Sequence, residues 1–198
     1  MKLTTKKITL IGVLSALASV IMFLEFQLPM LPPFLKLDFS EIPVLFAAFA
    51  VGPIGAVFVE LIKNLIHLQF TSTSGIGELA NFLVGCSFVI PAGLIYKRSK
   101  NKMGAIIAVA FASLSMVVFS SFINYFAILP LYAKVLGYTT EAVVGMSKAV
   151  NPNINDVFSL IILGFVPFNL IKALIISILT VTIYKSVEPV LKKNSLTD

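Results

Sequence analysis

Cysteine, tryptophan, histidine and arginine are nearly missing from this chain. Among its 198 residues there is one Cys, one His and no Trp, and Arg98 is the single arginine. One cysteine, Cys86, excludes an intrachain disulfide framework, and its small, apolar neighbours make it a packed helix residue. One histidine without a cysteine pair cannot assemble a zinc site, so no metal is expected and His67 reads as a hydrogen-bonded packing residue. A lone arginine leaves no cluster of planar forks to grip phosphate. Walker, G-x-S-x-G and H-E-x-x-H motifs are likewise missing, which argues against P-loop hydrolysis and against an enzyme of those classes. No catalytic residue is assigned.

Charge is the next scarcity. Only 12% of residues are charged, against 58% hydrophobic, and the mean hydropathy is +1.00. A soluble domain of this length has too little interior to hide so much apolar surface. Lipid must be the solvent for much of the chain. The net charge of +6 could suggest nucleic acid, but its distribution argues otherwise. Lys2, Lys6 and Lys7 lie at the start, Lys97, Arg98, Lys100 and Lys102 in one connection, and Lys185, Lys192 and Lys193 near the end. That is the positive-inside pattern, which puts both termini and that connection in the cytoplasm. No basic patch interleaved with aromatics exists, so nucleic acid is excluded as a partner.

What is present is a series of long apolar runs. "LTTKKITLIGVLSALASVIMFLEF" starts like a secretory signal, but its apolar run continues past the small-residue "ALA", so an uncleaved first transmembrane helix over about 8–27 is expected. "LPMLPPFLKLDFS" (28–40) is too proline-rich for a helix. Ser40 is placed to cap a short second helix ending at the tight turn "VGPIG" (51–55). A third helix runs to about Phe70, a fourth spans 78–96, a fifth 103–131 and a last 157–184. Residues 132–156 form an extracytoplasmic segment with room for one short interfacial helix. The expected fold is an all-α integral membrane protein of about six helices, with 1–198 as one domain. The second and third helices are short for a hydrocarbon core of roughly 30 Å. Such a chain belongs in a cell membrane as a multi-pass protein.

Polar groups at bilayer depth cost free energy and tend to face a cavity or a partner. "VPFNLIKALI" places Asn169 and Lys172 at i and i+3, on one helix face. Ser120, Ser121 and Asn124 form a stripe near the outer end of the fifth helix. Glu78 and Asn81 pair at i, i+3 on the fourth, and Glu60, Lys63, Asn64 and His67 line the third. Glu60 with Lys63, and Glu78 with Asn81, read equally as internal pairs of the bundle or as ligand groups. For Asn124, Asn169 and Lys172 ligand contact is favoured. Two amides and an ammonium supply donors and acceptors for the edge of a neutral heteroaromatic compound.

Three blocks, "FLKLDFSEIPVLFAAFAVGPIGAVFVELIKNLIH" (34–67), "INYFAILPLY" (123–132) and "PFNLIKALI" (167–175), resemble the riboflavin-specific S components of energy-coupling factor (ECF) vitamin transporters. The resemblance covers nearly the whole chain. It implies a bacterial plasma-membrane protein of six helices that binds riboflavin as transported ligand, with no cofactor. It also implies partnership with a transmembrane scaffold subunit and two cytoplasmic ATPases. On the residues, it implies that Asn124, Asn169 and Lys172 bond the polar edge of the isoalloxazine, with Tyr125 beside Asn124. Leu37, Asp38 and Phe39 of the first loop would cover the ligand, and Glu78 and Asn81 would meet the ribityl hydroxyls. The family's A-x-x-x-A docking pattern on the first helix is met here only as small-xxx-small, by Gly12 and Ala16 and again by Ser15 and Ser19. Small residues allow close helix approach in lipid, so both pairs stand as candidates for scaffold docking, with internal packing as the alternative. The rival functional class is a self-sufficient secondary transporter using the stripe Glu60, Lys63 and His67 as a proton relay. No internal repeat of the kind many such carriers contain is visible.

Overall fold

A computed structural model describes residues 4–137 and 139–193; Lys2, and the side chains of Lys192 and Lys193, fall outside the described residues. Helix α1 (Thr5–Met22) begins at Thr4, whose side chain accepts from the Lys7 amide. It ends five residues earlier than expected, because Phe26–Gln27 (β1) pairs antiparallel with Lys36–Leu37 (β2). The proline-rich connection is thus a small hairpin loop, and backbone committed to a ladder cannot extend the helix.

Helix α2 (Glu41–Ala50) and helix α3 (Pro53–His67) fold back on each other about Gly52, whose φ of 101° is available to glycine at little cost. Their antiparallel course is fixed by Lys63, late in α3, which bonds Glu41 at the start of α2 at 2.7 Å. Ser40 is not the expected capping side chain: its backbone is already helical, at φ −64° and ψ −20°. Its hydroxyl instead donates to Asp38 and accepts from Lys63.

Helix α4 (Ile76–Tyr96) leads into the basic connection, and Asn101 caps helix α5 (Lys102–Ile123), accepting from the Gly104 amide at 2.8 Å. The fifth helix does not stop at 131. It passes through a π-helical segment, Asn124–Ile128, into α6 (Leu129–Leu136). After α7 (Thr140–Lys148), Asp156 and Ser159 form a reciprocal capping box that opens α8 (Val157–Leu160). The Ser159 amide holds the exposed Asp156 carboxyl below the ordinary carboxylate range. A second π segment, Ile161–Phe165, joins α8 to α9 (Val166–Lys193).

Among the described residues, four stretches are long and apolar enough to cross a membrane: Thr5–Met22, Ile76–Tyr96, Lys102–Leu136 and Val157–Pro189. At a rise of ~1.5 Å per residue, α2 spans about 15 Å and α3 about 22 Å, each shorter than a hydrocarbon core of roughly 30 Å. The tip of the α2–α3 hairpin is anchored at one end of the bundle. A Cβ at Gly93 would sit 3.0 Å from the Pro53 nitrogen, so α4 presses on that tip. Phe49 stacks on Tyr96 with ring centroids 4.3 Å apart, and the Tyr96 and Tyr184 hydroxyls bond at 2.7 Å. Ile11 of α1 approaches Gly55 at the same level. The basic connection, the start of α1 and the far part of α9 therefore share one end of the bundle. The polar ends of α3, α4 and α5 gather at the other.

Candidate functional site

At that other end the described residues enclose a cavity of about 530 Å³, inside the roughly 300–1,000 Å³ range of small-molecule sites. Its walls carry flat and flexible apolar groups, among them Phe34, Met116, Ile128, Phe165 and Phe168. Its polar groups fall at two poles.

The first pole consists of Asn124, Asn169 and Lys172, all lining the cavity and each about 4% exposed. The i, i+3 spacing on α9 does bring Asn169 and Lys172 to one face. Asn124 belongs to the first π segment, and Asn169 stands about one turn after the second. Asn124 opens the first and donates Nδ2 to the Ser120 carbonyl at 2.7 Å; Asn169 donates Nδ2 to Phe165, the last residue of the second, at 2.8 Å. Each amide is held by its own helix, leaving its Oδ1 and second N–H for the cavity. Lys172 is oriented by Asp38, whose Oδ2 lies 3.0 Å from Nζ, and two of its three N–H donors remain.

The second pole joins the end of α3 to the start of α4. Glu78 accepts from Thr71 at 2.8 Å and meets His67 Nδ1 at 2.9 Å. Thr73, Asn81 and Tyr132 complete it. The Oδ1 of Asn81 is occluded and has no donor among the described residues. His67, expected to be a packing residue, stands in the cavity wall; its i+3 relation to Asn64 carried no sign of this.

Other expected residues lie elsewhere. From the first loop it is Pro33, Phe34, Leu35 and Lys36 that line the cavity, not Leu37, Asp38 and Phe39. Leu37 pairs with Phe26 and is 1% exposed in the core, since strand neighbours point to opposite faces. Phe39 packs its ring 6.0 Å from Phe26. Tyr125 is 41% exposed and meets Phe126 edge-on. It follows Asn124 by one residue, about 100° round the helix, which turns it away from the cavity. Ser120 and Ser121 return their hydroxyls to the Val117 carbonyl and do not reach the cavity. Among groups not singled out beforehand, Glu41 and Gln27 line it; Glu41 reads in the sequence as an ordinary first-turn acid.

The two small-residue pairs of α1 face different ways. Gly12 and Ala16 are exposed, and a Cβ at Gly12 would meet nothing within 4 Å. Ser15 and Ser19 are buried, bonding the Ile11 and Ser15 carbonyls at 2.7 and 2.8 Å. The serine pair is internal packing.

Residues 6–184 match the family model "ECF transporter, substrate-specific component". The chain is 36% identical over 188 residues to the riboflavin transporter RibU of Staphylococcus aureus (strain TCH60), covering 95% of this chain and 93% of that protein. It is 30% identical over 187 residues to the riboflavin transporter FmnP of Bacillus subtilis (strain 168), covering 93% of each. A solved structure of the S component of a bacterial ECF transporter superposes with a TM-score of 0.73 at 36% identity, covering 94% of this chain and 98% of that one.

Proposed function

We propose that this chain, which belongs to the family of ECF transporter substrate-specific components, captures riboflavin in the cavity and delivers it through an ATP-driven complex. It is a multi-pass bacterial plasma-membrane protein. The observation that carries the ligand assignment is the convergence of Asn124, Asn169 and Lys172 on one pole of a cavity walled by aromatic and apolar side chains. The isoalloxazine edge alternates carbonyl acceptors with an N–H donor. Lys172 donates to a carbonyl, and the two helix-anchored amides supply the complementary donors and acceptors. The ring faces lie against Phe165 and Phe168. The ribityl hydroxyls reach the pole of Glu78, Thr73 and Asn81, where Asn81 Oδ1 lacks a donor. Asp38 acts through Lys172 rather than by touching the ligand.

The cavity end faces outward and the basic end faces the cytoplasm, by the positive-inside rule. Energy comes from partners, a membrane scaffold and two ATPases; Gly12 and Ala16 form the docking strip on α1. With relatives that are named transporters, the chain is read as a binding subunit and not an enzyme.

Purification tests the ligand directly. The protein should emerge yellow with a flavin absorption band, or, if colourless, quench the fluorescence of added riboflavin stoichiometrically. A colourless preparation that leaves riboflavin fluorescence unchanged overturns the assignment.

A further inference from the structure

In and behind the cavity wall lie five ionisable side chains almost without solvent contact, with Glu41 and Lys172 among the lining residues. Asp38, Glu41, Glu60, Lys63 and Lys172 are all 4% exposed or less. Asp38 and Lys172 close on each other at 3.0 Å. That leaves two acids for one ammonium, because Lys63 Nζ lies 2.7 Å from Glu41 Oε1 and 2.7 Å from Glu60 Oε2. Three carboxylates against two ammoniums give an excess of one negative charge if every group is ionised. An uncompensated buried ion costs several kcal/mol.

Among the described residues, nothing around the pair supplies the missing positive charge. From α3 itself, Asn64 spends its Nδ2 on the Glu60 carbonyl at 2.9 Å, and His67 belongs to Glu78. From α4, Gly85 presents no side chain, and a Cβ there would overlap Glu60 Oε1; the neighbouring Cys86 carries no basic group. From α1, Ser15 and Ser19 donate to their own helix. Lys7 lies a turn before Ile11, which is level with Gly55 at the start of α3, more than a turn from Glu60. From the loop and α2, Ser40 donates to Asp38. Meanwhile Glu41 Oε2 and both Glu60 oxygens are occluded and have no hydrogen-bond donor among the described residues, and of these only Glu60 Oε2 has the Lys63 ammonium beside it. Two acceptor oxygens shut away from water beside a one-charge excess call for the smallest donor there is.

We propose that Glu41 and Glu60 together bind one proton, held as a carboxylic acid hydrogen-bonded to a carboxylate opposite Lys63. One carboxylate oxygen takes up a proton from water, the other carboxylate stays anionic, and with Lys63 the set is neutral. The proton fastens the start of α2 to the middle of α3. It leaves the Asp38–Lys172 pair as the balanced charge set at the ligand pole. Glu41 also lines the cavity, but the proton needs no riboflavin, so the site stands apart from the flavin assignment.

Infrared spectroscopy of the purified full-length protein reads this proton without riboflavin. At neutral pH the wild type should show a protonated-carboxyl C=O stretching band that shifts with deuterium exchange and with isotope-labelled glutamate. Glu60→Gln and Glu41→Gln should each lose it. The amide of Glu60→Gln replaces the acid's donor, so its unfolding midpoint should equal or exceed the wild type, while Lys63→Met should lower it. The wild-type band and the Glu41→Gln variant keep the test open should Glu60→Gln fail to fold. Absence of a glutamate-labelled band in the wild type overturns the proposal. So does a band that survives both substitutions. A midpoint that rises with sodium at constant ionic strength does the same, since a metal cation would then hold the oxygens.

Discussion

Lys172 stands at once in the wall of the cavity and in a buried ion pair, its ammonium 3.0 Å from Asp38. A hydrogen bond from a charged donor contributes about 1.5–3 kcal/mol, so Lys172→Met should weaken riboflavin binding by roughly ten- to a hundredfold. Removing one partner of a buried pair also strands the other, at a cost of about 3–5 kcal/mol in stability. The two effects separate in the double variant. Asp38→Asn with Lys172→Met should regain thermal stability over Lys172→Met alone but not regain affinity, as calorimetry and thermal unfolding will show. Equal affinity of Lys172→Met and the parent would make the lysine purely structural. Asn169→Leu should cost less than Lys172→Met, because its bond is neutral. FMN should bind more weakly than riboflavin in the same titration, by about tenfold or more, since its phosphate at the ribityl end would meet Glu78 without an arginine to hold it.

At the scale of elements, α1 shows what spacing alone leaves undecided. Gly12 with Ala16 and Ser15 with Ser19 are the same pattern shifted by three residues, which is nearly one turn. Packing on α2 and α3 turns the serines inward and leaves the glycine outward. Gly12→Leu should therefore weaken assembly with the energy-coupling partners while riboflavin affinity and unfolding midpoint stay at the parent values. Ser15→Leu should do the reverse, overpacking the bundle and lowering stability by about 1–3 kcal/mol. Co-purification of the complex together with thermal unfolding of the isolated chain decides both. A Gly12→Leu protein that assembles normally would remove this face from docking. The π segments belong to the same scale. Each gives its helix an extra residue per turn; the first contains Asn124, and the second supplies the carbonyl that Asn169 bonds. No sequence periodicity announces them.

For the whole molecule, the absence of a nucleotide motif predicts a division of labour. The chain alone in liposomes should bind riboflavin but show no ATP-dependent accumulation, and should gain it when scaffold and ATPases are added. Uphill uptake by the isolated chain under a proton gradient would favour the secondary carrier. The arrangement of α3 speaks against that rival, because its polar stripe divides. Glu60 and Lys63 are sealed in the buried set with Glu41, whereas His67 turns to Glu78 in the cavity wall. The stripe is divided between two separate ion-pair sets and is not strung along one relay.

The sequence by itself determined the solvent, the long spans and the choice of Asn124, Asn169 and Lys172 as polar groups that must face something other than lipid. These three line one cavity. Composition can be met only by lipid, apolar runs between Gly, Pro and polar breaks mark helices, and asparagine and lysine at bilayer depth must face something polar. These follow from local chemistry and from the period of the helix. Tertiary structure decided what depends on distant partners. It decided that β1 and β2 shorten α1 and shift the cavity-lining register from Leu37 to Lys36. It set Asp38 behind Lys172 across 134 residues of chain, and it turned Tyr125 outward. It also brought Glu41 and Glu60 to a single lysine, where the charge count no longer balances without a proton. A sequence shows which groups are costly to bury; only packing shows which of them are buried together.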